Sequence, residues 1–255
     1  MNEHYRVVHK EVGETPLQAL ERLRESDATL ADLPMTYAGR LDPMAEGKLL
    51  ILVGDECKKR HEYLGLDKEY EYEVLLGFKS DTGDVLGIPE RGTSLVPTEK
   101  KIRRVFESFV GAHRFPYPQY SSKNIATENM DAELKLMRIY SNELSDIRMV
   151  SSSELLSYVV EKLGRLRADA SDRAMQNDFR RAEILAAWES LLGHDEGSYL
   201  IAKGRAVVTS GTYIRTLSER IAEKLGTRGL ALSIYRARMG RYVALGPLHF
   251  WLTSY

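Results

Sequence analysis

Between Glu69 and Val74 the chain alternates: Tyr70, Tyr72 and Val74 fall on one side, continued by Leu76, and Glu69, Glu71 and Glu73 fall on the other. A period of two belongs to a strand, and no helix can bury those four residues together. The run Lys68–Leu76 is therefore predicted as a strand with one wet face. A strand cannot stand alone, so the chain must build a sheet around it. A second period appears at Thr212–Leu225, where Ile214, Leu217, Ile221 and Leu225 share one face of a helix and Gly226 follows as its stop. Sheet and helix together predict a mixed α/β fold.

Other elements fill the frame. Thr15, Pro16 and Gln18 form the start signal of a helix, with cap, first-turn proline and closing glutamine, running to about Glu25. Asp55–Leu64 is helix-like. Ser80–Gly87 is turn-rich. Pro97–Phe109 reads as a helix closed by Gly111, and Ser151–Gly164 and Ser171–Leu192 also read as helices. Tyr199–Thr209 is strand-like. Gly111–Ser122 is expected to be irregular, because Pro116 and Pro118 obstruct regular structure. With no repeat, low-complexity tract or evident linker, residues 1–255 are expected to form a single domain.

Composition narrows the class. Hydrophobic residues make up 43% and charged residues 29%, as in ordinary globular proteins. The longest aliphatic run, Leu49–Val53, is far too short for a membrane span, and the first residues hold no signal-peptide core. One cysteine, Cys57, precludes an intrachain disulfide, so a cytoplasmic protein is expected. The net charge of −1 argues against a generic nucleic-acid binder, although Lys58–His61, Arg103-Arg104, Arg180-Arg181 and Arg236/Arg238/Arg241 are local clusters able to meet phosphates.

Three segments carry chemistry. In Tyr37–Gly47, Asp42 precedes Pro43 and is bracketed by Gly39 and Gly47. The proline holds Asp42 out of helical geometry, beside the apolar run Lys48–Val53. It either caps a turn or presents a carboxylate to a cleft. In Lys68–Tyr72, Tyr70 either packs or offers a stacking face with a hydroxyl. In Val207–Leu217, Arg215 lies in a first helical turn, where the helix dipole disfavours a cation. That placement points either to a partner or to an exposed, solvated arginine.

Five stretches occur in order: GRLDPMAEGKLLI, KEYEYEVLLGFKSDTGDVLG, PYPQYSSKNI, SGTYIRTL and YRARMGRY. Together they resemble the successive motifs of TruB-type pseudouridine synthases, over about Lys10 to Tyr242. The resemblance implies a largely antiparallel central sheet with flanking helices and a cleft. It implies isomerisation of uridine to pseudouridine in RNA, foremost at position 55 in the T-loop of tRNA. Asp42 would be the nucleophile, Tyr70 the stacking residue and base, and Arg215 the ion-pair partner of Asp42. Tyr37, Arg40, Lys68, Leu200 (or Ile201) and Tyr213 would belong to the substrate site. No cofactor or metal is expected, since the isomerisation involves no redox change. The expected partner is the T-arm of tRNA, met by a monomer.

The chain departs from the family pattern in four ways, the first being that His9–Thr15 lacks the proline that usually precedes the family's Gly-x-Thr/Ser. Tyr37 stands where the family has a histidine, Arg40 where a small residue is commoner, and the C-terminal RNA-binding PUA domain is absent from the 255 residues. The same chemistry on another RNA is the nearest alternative, and two other classes stay open: a non-catalytic RNA-binding or RNA-chaperone protein of the same fold, and a hydrolase using Asp81 and Asp84. The first has no need for a carboxylate in the path of an anionic RNA. The second conflicts with Ser80–Asp84 reading as a turn.

Overall fold

The computed structural model describes residues 4–93, 96–116, 134–166, 180–246 and 248–255. In chain order the elements are β1 (Tyr5–Lys10), α1 (Pro16–Ser26), β2 (Met35–Ala38), β3 (Glu46–Val53), α2 (Arg60–Leu64), β4 (Asp67–Leu76), β5 (Phe78–Ser80), β6 (Pro89–Arg91), α3 (Glu99–Glu107), β7 (Gly111–Pro116), β8 (Leu134–Ser151), α4 (Ser152–Gly164), α5 (Arg181–Leu192), β9 (Ser198–Val208), α6 (Ile214–Leu225), β10 (Gly229–Leu245) and β11 (Leu248–Ser254). A stretch of 3-10 helix, Gly54–Lys59, leads into α2.

The strands β1-β3-β10-β4-β9-β8-β7 lie side by side, with β2 paired to β3 and β11 to β10; β5 and β6 form a separate hairpin. Every pairing is antiparallel except a short parallel contact of β10 with β3, where Tyr235 meets Glu46 and Arg236 meets Gly47. The fold is α/β, as the periodicities predict, with the largely antiparallel central sheet that the family resemblance implies.

β4 is central, and its alternation sorts two cores. Tyr70, Tyr72, Val74 and Leu76 pack with α3 and α6, through Ile102, Phe106, Leu217 and Ile221. Leu75 faces the opposite layer, where Leu155 and Val159 of α4 and Trp188 of α5 close it. Leu217 is fully buried, so its truncation to alanine is expected to cost about 2–5 kcal/mol. The capping boxes of α1 (Thr15, Gln18) and α4 (Ser151, Glu154) are both formed.

Several expectations are corrected. Gly111–Pro116 is a strand rather than irregular, because its backbone pairs with β8 and Pro116 sits at its last position. The helix expected to reach Phe109 stops at Glu107, capped by Ser108. Of Ser171–Leu192, Arg181–Leu192 is helical, and the portion before Arg180 lies outside the described residues. Pro118 and the PYPQYSSKNI stretch beyond Pro116 lie outside them as well. Glu69 does not face water; it is buried against Arg205 and Arg238.

Candidate active site

A cavity of about 570 Å³ opens where the Gly39–Glu46 loop, β4, β10 and the turn between β9 and α6 converge. Asp42, Tyr70 and Arg215, named from three distant segments, all line it. So do Arg40, Lys68 and Tyr213.

The Asp42 loop is irregular backbone held at both ends. Gly39 and Gly47 both take positive φ, at 81° and 112°. A Cβ on Gly47 would lie 2.5 Å from the Arg236 carbonyl oxygen, so only glycine allows β3 to approach β10 here. Buried cations grip the carbonyls between these hinges. Arg236, fully buried, donates from Nε to Lys48 O (2.7 Å), from Nη1 to Arg40 O (3.0 Å) and from Nη2 to Gly39 O (3.2 Å). Lys10 Nζ donates to Ala45 O at 2.7 Å and Glu11 O at 2.8 Å. Gly13 N–H donates to Pro43 O at 2.8 Å. Burial pushes the Lys10 ammonium down to about 7. Arg236 therefore acts on the loop's backbone and not, as its cluster first suggested, on phosphates.

Arg215 enters from the first turn of α6. Its Nε lies 2.9 Å from Asp42 Oδ2, and its Nη1 lies 3.6 Å from Asp84 Oδ2 and donates to Thr82 O at 2.7 Å. Arg215 is 5% exposed while Asp42 is 43% exposed, so the cation is buried structure and the carboxylate is presented to the cavity. Burial opposes the Arg215 charge, but Asp42 and Asp84 outweigh it and hold the guanidinium more firmly protonated than usual. Asp84 is itself raised to about 6, chiefly by burial, with Arg215 opposing the shift. Thus the ion pair with Asp42 that the resemblance implies is formed, and Asp84 is a second carboxylate beside the same guanidinium.

Tyr70 stands beside Arg236 in register and two residues from Tyr72, on the cavity-bearing face of β4. Lys68 Nζ donates to the carbonyls of Leu66 and Leu64 and to Ser210 Oγ at 3.2 Å. Ser210 Oγ in turn donates to Leu64 O, stitching the end of α2 to the turn before α6. Burial, aided by Arg236, lowers the Lys68 ammonium to about 7.

Two expected site residues lie elsewhere. Leu200 is six residues along β9 from Ala206, the partner of Tyr70, which is roughly 20 Å at 3.3 Å per residue. Ile201 pairs with Leu75 and joins the opposite core. The apolar wall comes from Leu41, Ala45, Ile214 and Ile234. Ile234 belongs to the quoted YRARMGRY neighbourhood, but one period-two run could not show which strand would lie beside β4. Tyr37 packs on the cluster of Ala19, Leu20, Leu49 and Ile51, and Arg60 covers its ring at 5.9 Å. Arg60, not Tyr37, lines the cavity.

Among the described residues, His9, Glu11 and Glu46 form a cluster with metal-ligating atoms. His9 Nε2 lies 3.7 Å from Glu11 and 3.8 Å from Glu46. None of the three lines the cavity.

The fold is similar to that of two complexes of known structure. A crystal structure of a Cbf5–Nop10–Gar1 complex aligns with a TM-score of 0.56 and 18% identity, over 93% of this chain and 49% of that one. A structure of an H/ACA RNP bound to a substrate RNA containing 2'-deoxyuridine aligns at 0.52 and 16%, over 92% and 46%. These likenesses establish the fold. Residues 33–160 match the model of the TruB family pseudouridylate synthase (N terminal domain), and the chain belongs to this family. It is 25% identical over 207 residues to tRNA pseudouridine synthase B of Psychrobacter arcticus, covering 81% of this chain and 44% of that protein. Against the protein of the same name from Thermotoga petrophila, identity is 27% over 236 residues, 92% of this chain and 62% of that protein. The chain thus spans about half the length of the curated relatives it matches.

Proposed function

We propose that the chain isomerises uridine to pseudouridine in RNA, with the T-loop of tRNA as substrate and Asp42 as nucleophile. The observation that carries this is the Asp42 carboxylate, presented to the cavity by a buried arginine 2.9 Å away in a member of this family. The reaction breaks the N1–C1′ bond, turns the base and forms C5–C1′; C5 gives up its proton and N1 gains one, so the composition is unchanged. Asp42 serves it by attacking C1′ or the base, or by stabilising positive charge at C1′ as the base departs. A glycal route also needs a base for the C2′ proton, and Tyr70, which lines the cavity, is the candidate for it and for stacking on the flipped uracil. Arg215 sets the direction of the Asp42 carboxylate, its planar fork being bound on its other arm by Asp84 and Thr82.

The same reading makes the chain one catalytic domain, monomeric and cytoplasmic, that meets RNA through the cavity and its rim without a metal or cofactor. The test is direct. Incubation with unmodified tRNA, followed by chemical mapping of pseudouridine, should yield one new site in the T-loop. Binding without any pseudouridine on tRNA or other RNAs would favour the non-catalytic alternative.

A further inference from the structure

We propose that Arg60 is a phosphate-binding residue at the cavity rim, holding a phosphodiester next to the nucleotide that occupies the cavity. This rests on the RNA reading above and adds a contact that reading does not contain.

Five cations line the cavity: Arg40, Arg60, Lys68, Arg215 and Arg236. Three are already engaged. Arg236 gives its fork to Lys48, Arg40 and Gly39 carbonyls. Arg215 is bound by Asp42, Asp84 and Thr82. Lys68 is occupied by two carbonyls and Ser210, and burial leaves it only partly charged near neutral pH. An RNA chain, with one charge per nucleotide, needs a cation that is still available. Arg40 is exposed and would lose side-chain freedom on binding. Arg60 is half-buried and already placed: its Nε donates to Tyr37 O at 3.0 Å, and its guanidinium lies over the Tyr37 ring. Among the described residues no partner is found for its two Nη groups. Those two nitrogens form the side of the fork that suits phosphate oxygens.

The element carrying Arg60 is also fixed. The far end of α2 is tied across the cavity by Lys68 and Ser210 to the turn that leads into Arg215. The phosphate contact and the carboxylate therefore sit on parts of the molecule joined by hydrogen bonds, and the position of one is set relative to the other. Tyr37 acquires a role through this geometry: its carbonyl and ring position Arg60.

The experiment measures binding of a T-stem-loop RNA by the parent, Arg60→Ala and Arg60→Lys across a range of salt, with pseudouridine formation followed in the same samples. Each phosphate contact contributes about 0.7–0.9 to the slope of log affinity against log salt. Arg60→Ala should lose about one such increment and weaken binding roughly tenfold at 0.1 M salt. The loss should fall mainly on the half-saturating RNA concentration, the saturating rate falling by a smaller factor. Arg60→Lys should recover the slope and only part of the affinity. A scan with single methylphosphonate linkages should find one position that weakens the parent but not Arg60→Ala. An unchanged slope in Arg60→Ala, or equal methylphosphonate penalties in both proteins at every position, would overturn the proposal. If the parent forms no pseudouridine yet Arg60→Ala still loses the slope, the phosphate contact stands and the catalytic reading fails.

Discussion

Two ion pairs in this protein are built the opposite way round. At the cavity the arginine is buried and the carboxylate exposed: Arg215 at 5%, Asp42 at 43%. On the other side of β4, the carboxylate is buried and the arginines exposed: Glu69 at 5%, with Arg205 at 56% and Arg238 at 39%. In the second pair the acid is enclosed and its charge is consumed by the fold. In the first, the cation is enclosed and the acid remains available to a third party. The buried member of a pair is its scaffold, and the exposed member is what the site offers. Glu14 with Arg22 follows the Glu69 pattern, the glutamate enclosed and the arginine exposed. Asp42 is the inversion, which suits a carboxylate meant to meet a substrate.

The sharpest way to break this comparison is to neutralise the exposed acid. Asp42→Asn keeps size and removes the charge. The amide is a poor nucleophile and a poor stabiliser of a cation-like ribose, so pseudouridine formation should fall by at least about 10³-fold. The folded state should persist, since the side chain is half in solvent, and RNA affinity should hold. A folded variant with near-parental activity would remove Asp42 from the mechanism.

Arg215→Lys tests the scaffold half. Lysine keeps the charge but cannot reach Asp42, Asp84 and Thr82 with a planar fork. Single-turnover rate should fall roughly 10²-fold, in the range seen when one preorganised electrostatic contact is lost, with a smaller change in RNA affinity. A thermal melt is expected to show a loss as well, because two acids facing Arg215 lose geometry together. An unchanged rate would mean that the direction of the Asp42 carboxylate does not matter.

How much of this was legible beforehand follows from distance along the chain. Helix α6, its Gly226 stop and the capped start of α1 are encoded within a few residues, and they stand as read. The long strands β8 and β10 were not seen. Both contain register shifts, at Ile139/Ser141 and Leu144/Asp146 in β8, and at Ala231/Ser233 and Arg236/Arg238 in β10. Each shift moves the period-two pattern out of phase. Asp42, Tyr70 and Arg215 were legible because each sits in a motif. Ile234, Arg236 and Lys10 act across the sheet, and nothing local marks an arginine as buried rather than solvated. Glu69 was misread for the same reason: its alternation is that of a wet face, but arginines from β9 and β10 cover it.

Asp84 offers a pH test of the same cluster. Its folded value of about 6 lies above the ordinary carboxylate value, chiefly through burial. Its protonated form is therefore favoured by folding. The contribution to stability is present below the unfolded value and is lost as pH rises through about 6. The catalytic effect runs the other way, because ionised Asp84 adds its charge to the Thr82 carbonyl in holding the second arm of Arg215, and protonated Asp84 does not. Parental rate should fall as pH drops through about 6, and Asp84→Asn should be roughly tenfold slower at pH 7.5 and lack that limb. A variant that keeps the full acid limb would assign it to another group.

The smallest effect on rate is expected at Glu69, and it completes the comparison. Glu69→Gln removes a charge from an enclosed position flanked by Arg205 and Arg238. Both arginines are exposed enough to be rehydrated, so the loss is that of a partly screened pair. The amide oxygen can still accept one hydrogen bond, but Arg205 and Arg238 then face each other with no anion between them. Stability should fall by about 1–3 kcal/mol, the range for disrupting hydrogen bonds to a buried charged group. Turnover on a T-stem-loop should change less than twofold, because Glu69 points away from the cavity on a strand whose alternate residue, Tyr70, faces it. A melt with little change in midpoint would show that the glutamate is not acting as scaffold. A rate loss comparable to that of Arg215→Lys would show that the two faces of β4 are coupled, and the division between an enclosed acid that folds and an exposed acid that reacts would not hold.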